Sequence, residues 1–153
     1  MQFKIDKKKF LEDGYCVIKG LLNNDEIKYY DSKIKELAGN RSHFSLGGIY
    51  KAKDISKIVC NKNLIEVVQF LLGSDVYFLH DSTIMYKKEP KNVTNWHRDN
   101  PCRRYGYGPD WDKKEPYNVL RLGIYLQEFE ETKSCINVIP GSYKKRLTVQ
   151  EIL

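Results

Sequence analysis

The chain has 153 residues, 41% hydrophobic and 30% charged, and its 26 basic and 20 acidic side chains give a net charge of +6. This is the composition of one globular domain and excludes fibrous and disordered chains. No apolar run approaches the roughly 20 residues of a membrane helix, and the lysine-rich opening, residues 1–10, lacks the apolar stretch of a secretory signal.

The positive charge is spread out, with short runs at 7–9 and 144–146. That favours solubility and anionic small ligands; with no reading motif, nucleic acid is disfavoured as a partner. Cys16, Cys60, Cys102 and Cys135 form no CxxC pair, so free thiols in a reducing, cytoplasmic setting are expected.

In chain order, Asp6 is placed to cap a short helix through Phe10 and Leu11 that Gly14 ends. Residues 15–18 read as a brief strand. Asn23 or Asn24 caps a second helix, in which Ile27, Tyr30, Ile34, Leu37 and Ala38 recur at the spacing of one helical face. Residues 42–49, carrying Gly47 and Gly48, read as a loop, and 54–59 as a further turn of helix. A helix over 63–72 gathers Leu64, Val67, Val68, Leu71 and Leu72 on one side and stops at Gly73.

After Gly73 the pattern changes. Residues 76–79, 83–87, 96–99, 118–129 and 136–139 are β-rich runs, the last closed by Pro140-Gly141-Ser142. Helices first, over 1–73, and strands afterwards, over 74–153, predict a single α+β domain with helices packed against an antiparallel sheet or barrel.

The longest predicted strand bears on function. Leu120, Leu122, Ile124 and Leu126 fall on one face, suited to a buried layer under the helices. Arg121, Gly123 and Tyr125 fall on the other, a reasonable lining for a polar cavity; the alternative is that Arg121 faces water.

The sharpest local feature is Asn95-Trp96-His97-Arg98-Asp99-Asn100. Residues two apart on a strand point to the same side, so the His97 imidazole and Asp99 carboxylate could converge on one metal ion. With a second histidine they would form the two-histidine, one-carboxylate triad of non-haem Fe(II) oxygenases, which leaves positions open for a co-substrate and O₂. A bare HxD also fits a surface turn or an ion pair.

Four segments in order resemble the phytanoyl-CoA dioxygenase family of Fe(II)/2-oxoglutarate-dependent oxygenases. Phe10-Leu11-Glu12-Asp13-Gly14-Tyr15-Cys16-Val17-Ile18-Lys19-Gly20-Leu21-Leu22 is similar to its N-terminal helix–strand opening. Trp96-His97-Arg98-Asp99 is similar to its proximal iron motif, and Leu120-Arg121-Leu122-Gly123-Ile124-Tyr125-Leu126 to its next barrel strand. Ser134-Cys135-Ile136-Asn137-Val138-Ile139-Pro140-Gly141-Ser142-Tyr143-Lys144 is similar to its closing Pro-Gly-Ser-His-Lys signature, with Tyr143 where histidine is usual.

The resemblance covers nearly the whole chain. It implies a double-stranded β-helix, the cupin-like jelly-roll barrel, buttressed by the N-terminal helices. It implies His97 and Asp99 as ligands to Fe(II), 2-oxoglutarate as co-substrate, O₂ as oxidant and hydroxylation of a small molecule. Tyr86, Arg121 and Tyr125 are candidate co-substrate residues by strand parity. The stretch 101–117, with Arg103, Arg104, Tyr105 and Trp111, is a candidate lid over an anionic or sugar-like substrate, or else a solvated loop anchored by its aromatics. Tyr143, in a turn, reads as structural.

The family's second iron histidine and its 2-oxoglutarate arginine follow the Pro-Gly-Ser turn, and residues 145–153 hold no histidine. His43 and His80 lie upstream and read as a loop and a structural histidine. The expectation is therefore the N-terminal part of an oxygenase domain with an incomplete barrel, poorly stable or completed by another segment, and a weak binder of iron. The competing readings are a non-catalytic jelly-roll module that holds a ligand at the barrel mouth, and a cupin-type metal enzyme independent of 2-oxoglutarate. Three scattered histidines supply the latter poorly.

Overall fold

The computed structural model describes residues 3–73, 76–78, 82–87, 96–97, 120–127 and 135–144. Among these residues, four helices, α1 (Lys7–Asp13), α2 (Asn24–Ala38), α3 (Lys53–Ser56) and α4 (Lys62–Leu72), accompany two strands, β1 (His43–Gly47) and β2 (Thr83–Lys87). Tight 3-10 turns at Ile49–Lys51 and Lys57–Cys60 flank α3. Among the described residues no helix is long and apolar enough to cross a membrane.

The helix ends follow local chemistry. Asp6 accepts a hydrogen bond from the Lys9 amide at 2.9 Å, and Gly14 ends α1 in the left-handed region at φ 82°. Asn23 and Glu26 form a reciprocal capping box at the start of α2. The second oxygen of Glu26 accepts from Asn61 Nδ2 at 2.8 Å, and Asn61 itself caps α4. One carboxylate thus ties together the entrances of two helices that lie 35 residues apart in sequence. At the far end of α2, the Arg41 guanidinium bonds the carbonyls of Leu37 and Ala38 and covers the Phe44 ring at 4.5 Å.

The strand β1 departs from the expected loop at 42–49. Phe44 and Leu46 alternate with His43, Ser45 and Gly47, a half-buried strand pattern that the adjacent Gly47-Gly48 pair obscures. Its antiparallel partner is β2, with Phe44 opposite Tyr86 and Leu46 opposite Ile84. Ser82 closes the ribbon: its carbonyl accepts from Gly48 N at 2.6 Å and its hydroxyl from Ile49 N at 2.9 Å.

Two apolar clusters hold the helices to this ribbon. Ala38, Phe44, Ala52, Ile55 and Ile84 are buried together, with Ile34, Leu46, Ile49 and Tyr86 packed around them. Leu22, Tyr30 and Ile58 form the second cluster, against which Ile27, Val59 and Leu126 pack. Ile49 touches both.

Other expected strands differ. Residues 15–18 run without a ladder, and Val17 is 77% exposed. Residues 76–78, 120–127 and 135–139 likewise belong to no ladder, and the two-stranded ribbon is the sheet seen among the described residues. Leu122 and Ile124, expected under the helices, are 44% and 37% exposed, whereas Leu126 reaches the second cluster. Alternation marks which side chains share a face; burial needs a partner layer, and among the described residues Leu126, near the end of the segment, meets one.

Candidate functional site

His97 follows Trp96 on irregular backbone, and both side chains are exposed. Asp99 and the candidate lid residues Arg103, Arg104, Tyr105 and Trp111 lie outside the described residues, as does His80. Among the described residues no three His, Cys, Asp or Glu side chains converge as a metal centre. Imidazole and carboxylate are both donor types that ferrous iron takes, so the chemistry of His97 and Asp99 is compatible with it.

Tyr86 sits differently from its expected place in a cavity. It is partly buried on the helix-facing side of β2, packed on the Phe44–Ile84 cluster. The opposite face of the ribbon carries His43, Ser45, Met85 and Lys87, with His43 paired to Lys87 and Ser45 to Met85. Sequence reasoning missed this face because it treated 42–49 as a loop. The apolar–polar alternation of Phe44-Ser45-Leu46 was the signal available.

Arg121 is exposed on the 120–127 segment. Tyr125, on the same parity, is half exposed, and its hydroxyl accepts a hydrogen bond from the Ile136 amide at 2.9 Å. The phenol therefore bridges to residues 135–139 and retains its own proton for donation to a further acceptor. Between them, a Cβ on Gly123 would make ordinary contact, at 3.7 Å, with both Ile136 Cδ1 and the Tyr125 ring.

The Pro-Gly-Ser turn docks on α1. Gly141, at φ 73°, donates its amide to the Asp13 carbonyl at 2.7 Å, and the Tyr143 hydroxyl donates to the Leu11 carbonyl. The structural reading of Tyr143 agrees with this contact. Cys16, Cys60 and Cys135 are free thiols, and burial pushes the Cys16 thiol pKa up, which makes it a poorer nucleophile.

These features describe a helix-backed antiparallel ribbon followed by an HxD motif and a Pro-Gly-Ser turn. Over residues 10–151 the sequence matches the family model described as phytanoyl-CoA dioxygenase (PhyH), and the chain belongs to that family. It is 21% identical over 174 aligned residues to a Stutzerimonas stutzeri protein described as a probable alpha-ketoglutarate-dependent hypophosphite dioxygenase. The alignment covers 95% of this chain and 55% of the relative, so the chain spans about half the length of the curated protein it matches. No solved structure matches the chain.

Proposed function

We propose that this chain carries the first iron-ligand segment and the buttressing helices of an Fe(II)/2-oxoglutarate-dependent dioxygenase that hydroxylates a small molecule, on a double-stranded β-helix fold. The observation that carries the reading is the family match across 10–151, which encloses the HxD motif at His97 and Asp99. The helix-backed ribbon supports it: one face packs on α2 and α3, and the other, with His43, Ser45, Met85 and Lys87, is exposed.

In this reading His97 and Asp99 hold the iron through a neutral ring nitrogen and a carboxylate oxygen. When bound, ferrous iron and 2-oxoglutarate supply the oxidising chemistry: the oxo-acid loses CO₂ to become succinate as O₂ is divided between succinate and product. Arg121 and Tyr125 share a parity on one segment and offer a guanidinium and a phenolic proton to an anionic co-substrate. The basic and aromatic stretch with Arg103, Arg104, Tyr105 and Trp111 suits a small anionic substrate, the charge class of the hypophosphite named for the relative.

The test is iron-dependent release of succinate from 2-oxoglutarate by the full-length gene product, with iron binding measured in parallel. His97→Ala and Asp99→Ala are each expected to abolish both. Iron affinity unchanged in both variants would remove the proposed ligands. Binding of 2-oxoglutarate without turnover would instead favour the non-catalytic jelly-roll module.

A further inference from the structure

The C-terminal end of α1 and the turn at 140–144 meet across 132 residues of sequence. The last carbonyls of any helix lack intrahelical donors and need partners from elsewhere. In α1 the Phe10 carbonyl takes the Gly14 amide at 2.8 Å, the Asp13 carbonyl takes the Gly141 amide, and the Leu11 carbonyl takes the Tyr143 hydroxyl. The turn thus serves as the remote cap of this helix.

Shape reinforces the bonds. A Cβ on Gly14 would collide with Tyr143 Cδ1 and sit 3.0 Å from Cε1, so the ring lies flush on the glycine. A Cβ on Gly141 would lie 3.7 Å from the Glu12 carbonyl, which shows how closely the two backbones approach. From Tyr143, the chain leads back seven residues to Ile136, whose amide donates to the Tyr125 hydroxyl.

We propose that Tyr143 is a positioning residue: it latches the 140–144 turn to α1 and so holds residues 135–139 where Ile136 orients Tyr125. The latch is a property of the chain whatever its activity. Its consequence for a co-substrate bound near Arg121 and Tyr125 rests on the oxygenase reading.

Tyr143→Phe keeps the ring and removes the hydroxyl. Amide hydrogen exchange on the 153-residue chain reads the result. The Gly141 and Ile136 amides should exchange about three- to tenfold faster, the change expected for loss of one hydrogen bond, while amides of α4 stay as they were. Acceleration at Gly141 but not Ile136 overturns the relay to Tyr125. No change at either site, or equal acceleration throughout α4, overturns the latch.

Gly14→Ala supplies a second arm. Its destabilisation should shrink in a Tyr143→Ala background, where the ring is gone; equal cost in both backgrounds also overturns the latch. In an assay of 2-oxoglutarate turnover, Tyr143→Phe should raise KM for 2-oxoglutarate with kcat kept. A fall in kcat with KM unchanged overturns the positioning role. Absence of turnover in the wild-type protein would sink the oxygenase reading and leave the exchange result to decide the latch.

Discussion

The ribbon of β1 and β2 and the segments at 120–127 and 135–144 hold their places by different means. The ribbon has a continuous ladder between its two strands and an apolar layer beneath, where Phe44 and Ile84 are buried with Ala38, Ala52 and Ile55. The later segments are fastened at points: Leu126 on the second cluster, Tyr125 on Ile136, and Gly141 and Tyr143 on α1. Burial spreads stabilisation over many contacts, while a point fastening concentrates it in one or two hydrogen bonds, each of modest net worth. Substitutions should therefore cost stability in the first region and local position in the second.

The largest expected contrast is between two isoleucines. Ile84→Ala, in the buried cluster, should lose about 2–4 kcal/mol of unfolding free energy. Ile136→Ala, at a side chain 69% exposed, should stay within about 0.5 kcal/mol. Urea unfolding of both variants measures the pair, and equal losses would erase the distinction between the regions.

Next is Gly14→Ala, which places a Cβ both in the left-handed region and against the Tyr143 ring. The backbone alone should cost about 1–2 kcal/mol, read from the same denaturation curves. Asn23→Ala removes the reciprocal cap of α2 and should cost about 1 kcal/mol, with loss of helix by circular dichroism. Glu26→Gln keeps a hydrogen-bonding group at that joint and should cost less.

The smallest effects are electrostatic. Burial, then the nearby Glu26 charge, pushes the Tyr30 hydroxyl pKa upward. The folded state then holds that proton more tightly than the unfolded chain. Its contribution is complete below the ordinary tyrosine pKa and declines as pH rises through the raised value. Tyr30→Phe should flatten the alkaline limb of a stability–pH profile. Asp54 is held below the usual carboxylate range, first by its hydrogen bond to Lys57 at 3.3 Å. Its contribution is present at neutral pH and lost on acidification through the lowered value, and at so exposed a pair it should be barely measurable.

Elements whose signals are local were legible in the sequence. Asp6 and Asn23 mark two helix starts, and Gly14 and Gly73 follow two helix ends. The strand over Thr83–Lys87 was legible from its β-rich composition. The strand at His43–Gly47 was not, because its evidence is a partner 40 residues away and two adjacent glycines suggest a turn. The placement of Tyr86 also escaped parity. Alternation says that Tyr86 and Ile84 share a face, but the helices decide that this face is the covered one.

The amino-acid order alone determined helix limits, the alternation within strands, and the HxD and Pro-Gly-Ser motifs, because caps, periodicity and turn residues act over a few positions. The tertiary structure decided which side of β2 is buried, that residues 42–49 pair instead of looping, and that Tyr143 reaches α1. Those outcomes depend on contacts between distant segments, and such contacts are chosen by the packing of whole layers, which no short window of sequence contains.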